Sequence, residues 1–368
     1  MRGFIPFFSL LCLFSLENIA FAFPEMIRHG YSNCITCHVS PNGGGLVTSY
    51  GRALSQEALS TWHRENESDF LWGAIKYPDW LNAGGDIRAV QTHLDTPTTK
   101  SGMYLVMQAD AELAATQGEL TFLATFGKSN ASDPAKFIDS FLSRRHFIIY
   151  HPKEELYFRA GKFQRAFGIN LPDHIVSTKK GLGWNYGSET YNIEAAWIAA
   201  EKDLFVTGIF GKIDDSSLDQ EKGVALRGGY QLGDTYKGGL SYFYGTQATA
   251  SRHVFGPYVN LGFRKDLFFL GEIDLQNQRP NGLDSNWGWA HYARLDYELL
   301  QGIHLYLAED LLKTDFKETG SLSQSFGGGI QFFPRPHFEW LGSYQKQRNL
   351  RIRSDYNDFF WLMMHFYL

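Results

Sequence analysis

From Trp80 to Leu368 the chain alternates between apolar and polar side chains. Within Leu267 to Gln276, Leu267, Phe269, Ile273 and Leu275 fall on one face, and Phe268, Leu270, Glu272, Asp274 and Gln276 on the other. Within Trp287 to Leu299, Trp287, Trp289, Leu295, Tyr297 and Leu299 oppose Tyr292, Arg294, Asp296 and Glu298. A period of two is the mark of a strand with one apolar and one polar face. The pattern predicts about sixteen such strands.

The connections between them predict which kind of sheet this is. Short turns are expected near Thr116-Gln117, His151-Pro152, Glu201-Lys202, Gly233-Asp234, Lys265-Asp266, Gln301-Gly302 and Pro334-Arg335. Longer polar loops fall between them, near Pro97 to Lys100, Lys128 to Asp139, Gln164 to Ser188, Asp214 to Gln220, Gln247 to Ser251, Gln278 to Asn286, Lys317 to Ser321 and Arg348 to Ser354. Alternating short and long connections are a property of transmembrane antiparallel β-barrels, and a soluble sandwich has no reason for them. A strand of about 12 residues at about 3.3 Å each, tilted about 45°, rises roughly 28 Å, close to the apolar band of such barrels. The expected fold is therefore all-β, an outer-membrane barrel over residues 77–368. Apolar residues at every other place back from the C-terminus resemble the closing signal of these barrels, except that the last residue is Leu368 rather than an aromatic.

Residues 1–22 read as a secretory signal peptide. Arg2 supplies the charge, Phe4 to Leu16 the apolar run, and Ala20-Phe21-Ala22 a small-x-small cleavage site. The run is too short to span a membrane as a helix. Cys12 lies inside it, after Leu11, where a lipoprotein site would want a small residue.

Residues 23–76 break the alternation and carry the chemistry. Cys34-Ile35-Thr36-Cys37-His38 has the Cys-x-x-Cys-His spacing of covalent haem attachment. Two thiols three residues apart each add to one vinyl group of the porphyrin, and the next residue, His38, can bind the iron. A redox disulfide would call for a βαβ context, and a zinc site for a second pair of ligands; neither follows in the sequence. Met26, His29 and His63 are the near candidates for a second axial ligand, with His29 closest to the motif, and an open sixth position is the alternative. Val39 to Gly45, with its Pro41 and Gly43-Gly44-Gly45, cannot be regular structure, and a short helix is expected over Ala53 to Trp62. The segment is too small to build a large core alone.

Arg-x-Gly-Tyr-x-x-Cys-x-x-Cys-His-Val-Ser-Pro-x-Gly-Gly-Gly from Arg28, with Thr48-x-Tyr50-Gly51-Arg52, resembles a little-characterised Gram-negative family of exported proteins. In that family one c-type haem motif precedes a long strand-rich, porin-like region. A second block is also similar: Asn170-Leu171-Pro172-Asp173-His174, Gly181-Leu182-Gly183-Trp184 and Glu189-Thr190-Tyr191-Asn192. The resemblance implies one covalent haem c, held by Cys34, Cys37 and His38, and a role in electron transfer.

Composition narrows the partners. With 39 acidic and 34 basic side chains the chain has a formal charge of −5, which gives no footprint for nucleic acid. Aromatics at 16% suit a lipid-facing barrel wall, so outer-membrane lipid is the first expected partner. One haem cannot carry electrons across a hydrocarbon layer about 30 Å thick, so a periplasmic cytochrome or a redox protein held in the lumen is the second. The wall residues Glu272, Asp274, Arg294, Asp296 and Glu298 are expected lumen polarity rather than catalytic groups, and no Ser/His/Asp arrangement marks an enzyme. An alternative function is a porin-like channel in which the haem is a sensor or plug. A haem enzyme acting on a small oxidant would need the open sixth site. The longest loop, Gln164 to Ser188, could fold inward as a constriction through Asp173, His174, Lys179, Lys180 and Trp184, or lie outside with no special task. With an even strand count both ends of the barrel fall on the short-turn side, which puts the haem segment on the periplasmic side or inside the lumen.

Overall fold

The computed structural model describes residues 24–128, 141–173, 175–213, 220–352 and 354–368. Strands β1 (Leu81–Asp95), β2 (Lys100–Gln117) and β3 (Leu120–Lys128) open the sheet. Both β4 (Phe141–Leu142) and β5 (His146–Lys153) pair with β3, so these two segments form one stave interrupted at Ser143–Arg145. Next come β6 (Leu156–Phe163), β7 (Thr190–Ile198), β8 (Lys202–Ile209), β9 (Lys222–Leu232), β10 (Tyr236–Thr246), β11 (Ala250–Arg264) and β12 (Leu267–Pro280). Last are β13 (Asn286–Leu300), β14 (Ile303–Lys313), β15 (Leu322–Arg335), β16 (Phe338–Asn349) and β17 (Asn357–Tyr367). Seventeen segments with one shared stave give sixteen barrel strands, all antiparallel, and β17 pairs back onto β1 to close the cylinder. Leu368 finishes the seam: its N–H donates to the Gly85 carbonyl at 2.9 Å.

The predicted faces are the observed ones. Ile273, Leu275, Leu295, Tyr297 and Leu299 point outward and are exposed on the isolated chain, whereas Phe268, Glu272, Asp274 and Asp296 are buried inside. Such an apolar exterior is what a hydrocarbon solvent selects. Among the described residues no helix is long and apolar enough to cross a membrane.

The seven short connections lie where expected, within about three residues. Two deviate for one reason. Pro152 and Pro334 suggest turns, yet both sit inside strands, at register shifts between Tyr150 and Lys153 and between Phe332 and Arg335. A bulge leaves a residue unpaired, so proline's missing N–H costs nothing there. The turns follow at Glu154-Glu155 and Pro336-His337. The expected loops Lys128 to Asp139 and Asp214 to Gln220 lie largely outside the described residues.

Residues 24–80 do not form a separate body. Residues 24–60 pack into the lumen at the short-turn end, and most of residues 62–80 are exposed there. A 3₁₀ turn (Pro24–His29) lies against β11, where the backbone of Arg28 abuts Gly262. Arg28, 2% exposed, donates to the Lys265 carbonyl at 2.8 Å and pairs with Glu298. Asn33 donates to the Ala199 carbonyl, Gln301 to the Ser60 carbonyl, and Thr61 N–H to the Phe333 carbonyl. The barrel wall thus supplies the core that the segment lacks. Helix α1 (Ser49–Leu54) begins earlier than expected because Thr48 caps it, its hydroxyl accepting from Gly51 N–H at 3.1 Å; it runs on as one wide turn through Leu59.

Candidate functional site

The Cys-x-x-Cys-His stretch folds as a single tight turn. Cys37 and His38 both donate their backbone N–H to the Cys34 carbonyl, at 3.2 and 3.0 Å. Cys34 and Cys37 are free thiols rather than a disulfide. Burial, the largest influence on Cys34, pushes its thiol up, so it rests protonated. The chain then doubles back, and His38 bridges to Val47 across the intervening loop.

Three consecutive glycines make that return possible. Gly43, Gly44 and Gly45 have φ of +81°, +74° and +69°, a region that side-chain-bearing L residues enter only at a cost. They also permit close approach: a methyl group on Gly43 would stand 3.0 Å from both Cβ and Sγ of Cys34. Gly51 plays a similar part from the helix, where a methyl group would meet the Cys37 carbonyl oxygen at 2.5 Å.

His38 is held in one tautomer. Its Nδ1 lies 3.2 Å from the Gly45 carbonyl oxygen, which requires Nδ1 to carry the proton and leaves Nε2 as the lone-pair nitrogen. A backbone carbonyl behind the imidazole is the usual orienting partner of a metal-binding histidine. Burial pushes His38 down to about 4, so the ring is neutral at pH 7, as a ligand must be.

Cys34, Cys37 and His38 line one cavity in the lumen. Of the candidate second ligands, Met26 shares that wall and is buried against Cys37. His29 stands off it, half-buried, with its pKa pushed down to about 3 by burial and Arg28. His63 is exposed beside Glu57. Among the described residues no three His, Cys, Asp or Glu side chains converge on one point, as an all-protein zinc site would need. The donor set present, two thiols and one oriented neutral imidazole, fits a covalently tethered haem, whose macrocycle supplies the remaining iron ligands.

The other wall of the cavity is the loop between β6 and β7, residues 164–189. It folds inward across the lumen. Gly168 N–H donates to Ser241 Oγ at 2.9 Å and Ile169 N–H to Glu272 at 2.8 Å. Ser177 binds Asp310, Arg88 donates to the Pro172 carbonyl, and Arg252 to the Leu182 carbonyl. Lys179 and Trp184 are buried within it, Asp173 is half-buried, Lys180 is exposed, and His174 lies outside the described residues. The two sequence blocks of the resemblance meet here: Asn170 Nδ2 donates to the Asn42 carbonyl at 2.8 Å, and Asn42 donates to the Gln164 carbonyl at 3.2 Å.

Cations surround this space, of which the sequence singles out Lys179 alone. Arg145, Arg159, Arg165, Lys179, Arg227 and Lys237 all line the cavity. Each is balanced from the barrel wall: Arg145 by Glu112, Arg159 by Glu194 at 2.6 Å, Arg165 by Glu221, Lys179 by Glu272, and both Arg227 and Lys237 by Asp203. Arg159 also reaches the haem-motif loop, donating to Ser40 Oγ at 2.8 Å. Arg165 and Lys179 belong to the inward loop itself, and nothing local in the sequence marks which of the others meet it.

No protein-family model and no curated protein matches the sequence. Solved structures do match in shape. The OmpT outer-membrane protein of Vibrio cholerae aligns over 80% of this chain and 100% of its own, with a TM-score of 0.60 and 12% identity. OmpF of Salmonella typhi, solved with daunomycin, aligns over 80% and 99%, with a TM-score of 0.59 and 10% identity. The DcaP outer-membrane channel of Acinetobacter baumannii aligns over 78% and 97%, with a TM-score of 0.56 and 9% identity. The chain therefore has the fold of a sixteen-stranded porin-like outer-membrane barrel, with its bore occupied by its own N-terminal segment and one inward loop.

Proposed function

We propose that this protein is an outer-membrane electron-transfer protein carrying one covalent haem c inside a porin-like barrel. The observation that carries this reading is the convergence of both thiols and the oriented imidazole of one Cys-x-x-Cys-His turn on a single lumen cavity. Cys34 and Cys37 would tether the group, and His38, its ring oriented by the Gly45 carbonyl, would offer Nε2 to the iron. Met26 also lines this cavity and His29 does not, so of the two Met26 would be the nearer candidate for a second ligand. The haem supplies a reversible one-electron carrier. The residues lining the cavity would surround it with paired charges, one of the means by which a protein sets such a potential. With the short turns in the periplasm, the usual arrangement, the haem is reached from that side, and a periplasmic or lumen-held redox protein is its partner.

A second reading is favoured by the barrel itself: a porin-like channel in which the haem segment acts as a sensor or plug. An absorption spectrum of the purified protein in both redox states, with channel conductance of wild type and of Cys34→Ala/Cys37→Ala, separates the two. Electron transfer predicts a reversible haem spectrum and no conductance in wild type. A conductance that opens and closes with the redox state of the haem would favour the channel.

A further inference from the structure

Outside the haem turn, the N-terminal segment forms a cap at the short-turn end, tied to the barrel by Glu67–Arg335 and by Thr61 N–H on the Phe333 carbonyl. Helix α1 with its continuation to Leu59, and residues 64–77, pack as one body: Ser68 N–H donates to Gln56 Oε1 at 3.0 Å, and Arg52 to Tyr77 Oη. Its outer surface carries large apolar groups, with Tyr50 at 49%, Trp72 at 59% and Ile75 at 51% exposure, and beside it Trp62, 59% exposed, stands edge-on to Phe332 of the barrel. Leu71 and Trp72 have φ of +49° and +57°, a region that bulky side chains rarely enter. The rim is acidic. Glu57, Glu65, Asp69 and Asp79 are exposed against only Arg64 and Lys76, while Glu67 is tied to Arg335 of the barrel.

The cap also leads inward. The ring of Tyr50 stands edge-on to Tyr31, centroids 6.0 Å apart, and Tyr31 lines the cavity with Cys34 and His38. One aromatic neighbour separates the outer surface from the space assigned to the haem.

We propose that this cap is the docking face for a soluble electron-transfer protein with a lysine-rich surface. The inference rests on the haem reading above and adds where the electron enters and what charge its carrier has. An apolar centre within a charged rim is the anatomy of a transient protein interface. Like-charged acidic side chains steer a cationic partner, and added salt screens that steering.

The test uses the full-length, haem-loaded protein in detergent, mixed in a stopped-flow instrument with a reduced, lysine-rich soluble cytochrome c. Neutral hydroquinone serves as a second reductant that needs no docking. The expected rate with cytochrome c falls as salt rises, and drops about tenfold or more in Glu57→Lys/Glu65→Lys/Asp69→Lys, while the hydroquinone rate stays the same. Trp72→Ala is expected to weaken saturation by cytochrome c without changing the salt dependence. Heat-modifiable gel mobility and an unchanged haem spectrum confirm that each variant is folded. A rate indifferent to both salt and charge reversal overturns the proposal. So does Trp72-dependent fluorescence quenching by brominated lipid, which would assign the cap to the bilayer. If a haem stain shows no haem on the wild type, the haem reading has failed on that evidence alone. Salt-dependent binding of oxidised cytochrome c to Cys34→Ala/Cys37→Ala then still decides the docking face.

Discussion

Replacing Gly45 by alanine tests how the haem turn is locked to the barrel. Two effects add. At φ +69° an alanine enters the left-handed region at a cost of about 1–2 kcal/mol. Its methyl group would also fall within the guanidinium of Arg145, which cannot simply swing away because Glu112 holds it. Breaking a buried pair outright costs about 3–5 kcal/mol; pushing Arg145 partly off Glu112 forfeits a share of that, about 1–2 kcal/mol. The sum, about 2–4 kcal/mol, shifts the equilibrium for opening the N-terminal segment by about 30- to 1,000-fold. Tryptic cleavage after Arg52 reads this opening, because Arg52 is only 2% exposed in the closed segment, whereas the exposed Arg64 is open to attack at any time. At low protease the cleavage rate follows the opening equilibrium. Gly118→Ala, at φ +59° with no atom within 4 Å of the added methyl, carries the backbone cost alone on a distant turn and should leave cleavage after Arg52 unchanged. In an Arg145→Ala background Gly45→Ala should retain only its backbone cost, an increase of about 5- to 30-fold. Cleavage no faster in Gly45→Ala than in Gly118→Ala would refute the locking argument, and an undiminished effect without Arg145 would refute the assigned contact.

Removing the Arg28 anchor by Arg28→Ala strips Glu298 of its buried partner, and about 3 kcal/mol or more of destabilisation of the segment is expected, read by the same cleavage after Arg52. Acid should loosen the segment in the haem-free Cys34→Ala/Cys37→Ala protein. Burial lowers His29 to about 3 and both His38 and His337 to about 4, so between pH 6.5 and 4 the open state binds protons that the closed state cannot; Glu25, raised by burial, opposes them as one group against three. Cleavage measured with an acid-active protease should therefore speed up from pH 6.5 to 4, and a flat or falling profile would contradict the assignment. For topology, an epitope in the loop Asn281 to Ser285 should be shaved from intact cells and one near Asn42 protected; the reverse would put the haem turn at the cell surface.

The barrel was legible because each strand's alternation is a local signal repeated many times, as in Leu267 to Gln276. The Cys-x-x-Cys-His turn was legible as a motif because its spacing is contained within five consecutive residues. What sequence did not reveal depends on contacts between distant segments. Asn42 meets Gln164 and Asn170, and Arg159 meets Ser40, only after the barrel has closed around the segment. The inward path of residues 164–189 is fixed by Ser241, Glu272 and Asp310 on three separate strands, none recognisable in advance as an anchor. His29 is nearest the motif in sequence, but of the two only Met26, from the turn Pro24–His29, lines the cavity. The prolines misled for a local reason, since Pro152 and Pro334 occupy bulges rather than turns.

The central claim is a haem joined to the chain through two thioether bonds. It is tested most directly by running the protein, expressed with a working cytochrome c maturation system, on a fully denaturing gel and staining for haem peroxidase activity. Wild type should carry the stain at the position of the full-length mature chain, and Cys34→Ala/Cys37→Ala should lose it while still folding as a heat-modifiable barrel. An unstained wild-type band under conditions that mature a control c-type cytochrome would contradict the account.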